Sequence, residues 1–245
     1  MKHFADLHLK PQLDSPERTR RLIGKARELG YSLLGISLTP DIEKETFLSL
    51  QEVCRESAVG VATRIDLTPR STNELLRSLK RFRRRFEIVS VNCLSKAIAR
   101  QAAKDRRVDL LAFPSSDPRD RFFDRAETRV ASQGVAAMEI NMSLILESSG
   151  FSRARLFYFL RRETAIAQKA GFPTVISSHA SDPFQMRGPY DFASLALLFG
   201  MGYTSAVDAL STTPFGIVNR NRKKLDADYV AMGIRVVRRG RNCDK

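Results

Sequence analysis

Short apolar runs alternate with amphipathic stretches along the whole chain. The first run, Phe4-Ala5-Asp6-Leu7-His8-Leu9, is followed by Ser15-Pro16-Glu17. These supply an N-cap, a proline suited to the first helical position and an acid for the first turn; the helix ends at Gly30. Residues 33–37 form a second strand, and Asp41 opens the next helix. Residues 59–65 form a third, after which Ser71 and Glu74 make a capping box. Residues 88–92, 108–113, 135–140, 174–178 and 204–208 complete eight strands. Runs apolar on both faces suit strands buried between a barrel interior and an outer ring of helices. Eight βα units in 245 residues predict an α/β fold, a single (β/α)₈ TIM-like barrel over residues 1–240 with a basic C-terminal tail at 241–245. No Gly-x-Gly-x-x-Gly follows any strand, which counts against an open dinucleotide-binding sheet.

Functional groups in such barrels stand at the C-terminal ends of strands. Alternation places Asp6 and His8 on one side of the first strand, with Leu7 and Leu9 on the other. It likewise pairs Arg64 with Asp66, Glu139 with Asn141 and Ser177 with His179. Asp6-Leu7-His8 resembles the opening of the polymerase-and-histidinol-phosphatase superfamily, metal-dependent phosphoesterases that begin with a His-x-His pair. Here Lys10 stands where a second imidazole belongs, and the chain has three histidines in all. Asp6, His8, Glu139, Asp208 and His179 could hold one ion, and the first four of these are the catalytic set of an alternative reading as a stand-alone metal-dependent phosphoesterase. The competing reading is an ion pair of Arg64 with Glu139 or Asp6, with His8 hydrogen-bonded to a carboxylate, which is the commoner arrangement.

Charge changes the picture. Lys and Arg number 41 against 27 Asp and Glu, a net charge of +14, and 30 of the 41 are arginine. The planar guanidinium binds phosphate oxygens bidentately, so this bias suits a nucleic-acid backbone. The densest run spans residues 77–85. On a helix, Leu75, Leu79, Phe82 and Phe86 make its apolar stripe, and Arg77, Lys80, Arg81, Arg84 and Arg85 project outward. A second group comprises Arg220, Arg222, Lys223 and Lys224, followed by Arg235, Arg238, Arg239 and Arg241. Arg187 lies on the loop after the seventh strand, placed to clamp phosphate, with Asp191 to cap the next helix. Aromatic residues make up 8% with no Trp, so base-stacking platforms are not evident and backbone recognition is expected. Cys54, Cys93 and Cys243 have no metal-like spacing and are expected as free thiols in a reducing compartment. No signal-peptide core or membrane-length apolar run is present, and a cytoplasmic location is expected.

The order of several segments carries a resemblance that covers essentially the full length. They are Asp6-Leu7-His8, Ala62-Thr63-Arg64-Ile65, the run at 108–113, Met138-Glu139-Ile140-Asn141 and Ile176-Ser177-Ser178. Arg187-Gly188-Pro189-Tyr190-Asp191, the run at 217–222 and the ending at 233–237 complete them. The chain resembles the thirty-kilodalton-class protein subunit of ribonuclease P in its archaeal form. His179 departs from the pattern, which commonly has a small residue there.

The resemblance implies a barrel whose phosphoesterase metal site has decayed. It implies a subunit of the ribonucleoprotein that removes the 5′ leader from precursor tRNA. The RNA, with Mg²⁺, performs the chemistry, and no cofactor is bound by the protein chain. Its implied partners are ribonuclease P RNA, precursor tRNA and a small protein with an RNA-recognition fold. On this reading the RNA-binding residues are Lys10, Arg64, Arg77, Arg81, Arg84, Arg85, Arg187, Arg220, Arg222 and Lys223.

Overall fold

The computed structural model describes residues 2–115, 121, 123, 134–231 and 234–237. Seven parallel strands follow one another in sequence order around a single sheet. They are β1 (Phe4–Leu9), β2 (Tyr31–Ser37), β3 (Gly60–Leu67), β4 (Ile88–Asn92), β5 (Leu110–Ala112), β6 (Ala137–Asn141) and β7 (Thr174–Ser177). Helices α1 (Pro16–Glu28), α2 (Lys44–Glu56), α3 (Thr72–Phe82) and α4 (Lys96–Lys104) link the first five strands. After β6 come α5 (Ser143–Glu147) and α6 (Gly150–Lys169). After β7 come α7 (Pro189–Leu197), α8 (Tyr203–Ala209) and α9 (Thr212–Leu225), and a short antiparallel pair, β8 (Tyr229–Ala231) and β9 (Ile234–Arg235), follows. The sequence signals explain the local structure. At α3, Ser71 Oγ accepts the Glu74 N–H at 3.2 Å and the Glu74 carboxylate accepts the Arg70 N–H at 2.9 Å, while Leu75, Leu79 and Phe82 are buried.

The expected eighth strand is instead a helix. Residues 204–208 lie within α8, where Ala206 and Val207 are both buried, as is Leu210. Adjacent buried residues repeated four positions on are a helical stripe, not the alternation of a strand. The barrel is therefore nearly closed by seven strands, and the gap between β1 and β7 is bridged piecemeal. Leu9 pairs with Ala180 at the C-terminal end, where the Lys10 N–H donates to the Ala180 carbonyl at 2.9 Å. The Asp6 carboxylate accepts the Ser178 N–H from across the seam at 3.1 Å. At the N-terminal end the Ala5 N–H donates to the Leu210 carbonyl at 2.8 Å. Each bond satisfies a backbone group that a missing strand leaves unpaired. The proposed tail at 241–245 and Arg238, Arg239, Arg241 and Cys243 lie outside the described residues.

A bulge in β1 sets the interior. Asp6 pairs with Leu34 and Leu9 with Ile36, so three steps on β1 oppose two on β2. Leu7 consequently joins the interior apolar cluster with Ala62, Leu110, Ala137 and Val175, and the next residue, His8, approaches Asp66 and Glu139. Asp6 turns to the seam. This corrects the expectation that Asp6 and His8 share one side. The bulge also presses β1 against β2 at Gly35, where an added Cβ would lie 2.3 Å from the Leu7 carbonyl oxygen and 2.7 Å from its carbon. Backbone atoms cannot yield cheaply, so Gly35→Ala must spread two strands. Overpacking of this kind costs about 1–3 kcal/mol. Thermal unfolding followed by circular dichroism should show a drop of roughly 4–10 °C in this variant, and an unchanged Tm would refute the tight contact.

Candidate nucleic-acid interface

The barrel interior changes character one layer above its floor. On β3 the inward residues run Ala62, Arg64, Asp66; on β6, Ala137, Glu139, Asn141; on β4, Ile88, Ser90, Asn92. The lower layer is apolar and is plugged from beneath by Ile217 and Val218 of α9. Above it lies Arg64, fully buried at 0% exposure. Its Nε and Nη2 donate to Asp66 Oδ1 at 2.9 and 2.7 Å. Nη1 and Nη2 donate to the two Glu139 oxygens at 2.5 and 2.6 Å, and Nη1 also donates to the Leu7 carbonyl at 2.9 Å. All five guanidinium N–H groups are thereby engaged. Ser37 Oγ donates to Asp66 at 2.5 Å and Ser177 Oγ to Glu139 at 2.8 Å, completing the carboxylates' shells.

This arrangement answers the metal question. The only permanent charge between Asp66 and Glu139 is a cation that cannot leave, and a divalent ion in contact with both would face it at bonding distance. No group of three or more His, Cys, Asp or Glu able to hold a metal occurs among the described residues. Asp208 is far from the mouth on α8, where it pairs with Lys2 at 3.4 Å, and Asp6 is occupied by the seam. The four-residue metal set of the alternative reading is not assembled. The residues present do not fit the metal centre that the superfamily resemblance brings to mind.

The electrostatics follow from burial. Burial pushes the Glu139 and Asp66 carboxyls up, but Arg64, with His8, outweighs it and holds both below their ordinary values of 4.5 and 3.8. His8 lies 3.4 Å from Asp66 Oδ2 and 3.6 Å from Glu139 Oε1. Burial and Arg64 push its pKa down, yet these two carboxylates prevail and raise it above 6.5. His179, which adopts φ of 60°, stacks on His8 with ring centroids 4.2 Å apart. Burial, then His8 and Lys10, push it down to about 4. The two stacked rings are thus pushed in opposite directions, His8 up and His179 down. Asp6, buried in the seam, is raised by burial despite the Ser178 and His8 groups that bond it.

The opposite face of the barrel, at the N-terminal ends of the strands, gathers the charge. Here Asp109 accepts Arg83 Nη1 at 2.5 Å, Arg220 Nη2 at 2.8 Å and the Val89 N–H at 3.0 Å. Arg222 donates to Glu87 at 2.5 Å and to the Val61 carbonyl at 2.6 Å. Arg220 and Arg222 therefore strap α9 across the lower rim. Beside them opens a cavity of about 500 Å³ lined by Arg83, Arg84, Arg106, Arg107 and Lys224, with Asp226 the one acid among its lining residues. Burial, then Arg220, lowers the Lys224 pKa, with Arg83 and Arg106 acting in the same direction. Cations held together in this way are stabilised by a bound polyanion.

The sequence-derived residues thus divide. Arg64 is sealed inside, and its expected RNA contact is corrected to an internal ion pair. Arg84, Arg220, Arg222 and Lys223 lie at the lower rim. Arg77 and Arg81 are exposed on α3, with Arg81 over the Phe82 ring at 5.0 Å, and Arg85 donates to the Pro40 carbonyl at 2.7 Å. Lys10 lines a 510 Å³ cavity at the mouth, and Arg187 is exposed on the loop after β7. Sequence reasoning missed Arg106 and Arg107, whose signal was a cationic pair directly before a strand. Among the described residues, no helix is long and apolar enough to cross a membrane.

Two changes test the interior. Arg64→Met leaves two buried carboxylates uncompensated, a loss of about 3–5 kcal/mol at neutral pH. In the wild type, both carboxylates have depressed values, so their stabilisation is present above 4.5 and is lost as the pH falls further. In Arg64→Met acidification should instead recover stability, and urea unfolding from about pH 2 to pH 7 measures both slopes. By NMR titration the His179 ring should protonate near pH 4 and the His8 ring above 6.5; a single shared midpoint would overturn the assignment.

Comparison with known proteins agrees with this geometry. The family described as RNase P subunit p30 matches residues 3–226. Ribonuclease P protein component 3 of Methanothermobacter thermautotrophicus is 28% identical over 94% of this chain and 95% of its own. Its namesake in Methanosarcina mazei is 28% identical over 96% and 95%. Among solved structures, a chain of an archaeal ribonuclease P with mature tRNA superposes with a TM-score of 0.82 at 21% identity, covering 95% of this chain and 98% of that one. The family match runs over nearly the whole length of the barrel, and the chain belongs to the RNase P subunit p30 family.

Proposed function

We propose that this chain acts as an RNA-binding subunit of ribonuclease P and holds the RNA of the enzyme in shape without itself carrying the chemistry. The observation that supports the reading is the convergence of α3's C-terminal arginines, the turn before β5 and the last turn of α9 on one cationic cavity. Backbone phosphates suit it, since guanidinium and ammonium groups bind them without regard to sequence. The sealed ion pair at the mouth supports a non-catalytic role. Cleavage of precursor tRNA then belongs to the RNA and its Mg²⁺, and the protein side adds phosphate neutralisation. A small protein of RNA-recognition fold is the proposed neighbour, and the cytoplasm the proposed location.

Replacing Arg84 and Arg106 together by Ala should weaken binding to ribonuclease P RNA and flatten its salt dependence. The slope of log K against log salt should fall by about 1 for each phosphate contact removed. Both side chains are exposed, so Tm should stay unchanged. Titrations at several salt concentrations with unaltered affinity and slope would remove the lower rim from the RNA interface.

A further inference from the structure

A second cavity, of about 660 Å³, opens on the flank between α1 and the loop after β7. One wall carries Arg18, Arg21 and Lys25 of α1, and the other carries Phe184 on a single 3₁₀ turn, Pro183–Gln185. Phe184 is 89% exposed, more than any other aromatic ring among the described residues. A phenyl ring in water forfeits the stabilisation that burial gives. Its backbone is nevertheless firmly held. The Phe184 N–H donates to Asp182 at 2.8 Å, and its carbonyl accepts Arg187 at 2.7 Å. Gln185 Oε1 accepts the Ser181 N–H at 2.8 Å and the Asp182 N–H at 3.2 Å, and its amide donates to Glu147 at 3.2 Å. The loop is built to display this ring.

The cavity's charge indicates what meets it. Its two acids are already engaged, Glu28 by Lys25 at 3.1 Å and Asp182 by the loop backbone. Arg18 donates to Gln12, a neutral amide, which leaves its charge uncompensated at that contact. Arg21 pairs with Glu17, but both side chains are mostly exposed, and such pairs contribute little. The other strongly exposed phenyl, Phe151, differs, because the Arg155 guanidinium lies over its ring at 5.9 Å.

We propose that this cleft binds an unpaired ribonucleotide, with the base stacked on Phe184 and its phosphate at Arg18. The inference rests on the ribonuclease P reading for its class of ligand and adds a mode of recognition that the aromatic content of the sequence did not disclose. Stacking on an aromatic ring tolerates any base, and single-stranded RNA is recognised largely in this way. The volume suits a ligand of nucleotide size.

The test uses the full chain and a short single-stranded oligoribonucleotide carrying 2-aminopurine, whose fluorescence falls on stacking. Wild type should quench it, Phe184→Ala should abolish the quench and weaken binding roughly tenfold, and Phe184→Tyr should restore both. Arg18→Ala should weaken binding and reduce its salt dependence, and the Arg84/Arg106 double variant should still quench. Unchanged quenching in Phe184→Ala overturns the proposal. So does a Phe184→Ala chain that quenches normally but no longer associates with the other protein subunits, which makes the cleft a protein site. A wild type that binds ribonuclease P RNA without quenching the probe overturns this inference alone, whereas binding to neither RNA overturns the ribonuclease P reading as well.

Discussion

A buried guanidinium governs this barrel. Arg64 stands on the apolar floor with a carboxylate on either side and a backbone carbonyl behind it, and five donors meet acceptors. Desolvating such a group is costly, and only full satisfaction of its hydrogen bonds makes the arrangement stable. The surroundings are shaped to that requirement. The β1 bulge brings the Leu7 carbonyl within reach of Arg64, Gly35 makes room for the bulged strand, and Ser37 and Ser177 complete the carboxylates. The residues at the mouth are acidic and imidazole-bearing, but their charge is spent on an internal cation.

The same constraint bears on closure. A parallel barrel one strand short has two edges that must be satisfied without a strand between them. The chain uses one backbone bridge, one carboxylate and one helix-terminal carbonyl, at three levels of the seam. Asp6 is therefore a structural carboxylate, although its place in an Asp-x-His opening gives it the look of a ligand. The last helix closes the floor and is strapped by Arg220, Asn221 and Arg222 to carbonyls and carboxylates of the rim. Strapping by arginines places the remaining cations of α9 beside those that end α3 and precede β5.

The exposed cations described above accordingly lie away from the end of the barrel where small-molecule chemistry is usually found. The mouth is neutralised from within, while the opposite rim and the α1 flank present cations to solvent. An extended polyanion can contact several separated patches at once, and each neutralised phosphate adds to affinity through counterion release. A rigid barrel with charge on its outside suits that task.

Much of this was legible in the chain. Seven strands, the capping of α3 and its apolar stripe follow from local signals, chiefly periodicities of two and of 3.6. The family could be read from the order of short segments. The eighth strand failed because a short run of small apolar residues satisfies either period, and only packing against the rim selects the helix. The side on which Asp6 falls depends on a bulge that no alternation rule contains. The number of cations is likewise a property of the sequence, and the fold decides which of them face solvent. Arg64 and Arg84 are the same side chain in the sequence; the first is enclosed by carboxylates from β3 and β6, and the second stands open beside Arg106 and Lys224. Those neighbours are distant along the chain and adjacent only after the barrel has closed, so their electrostatics belong to the tertiary structure alone.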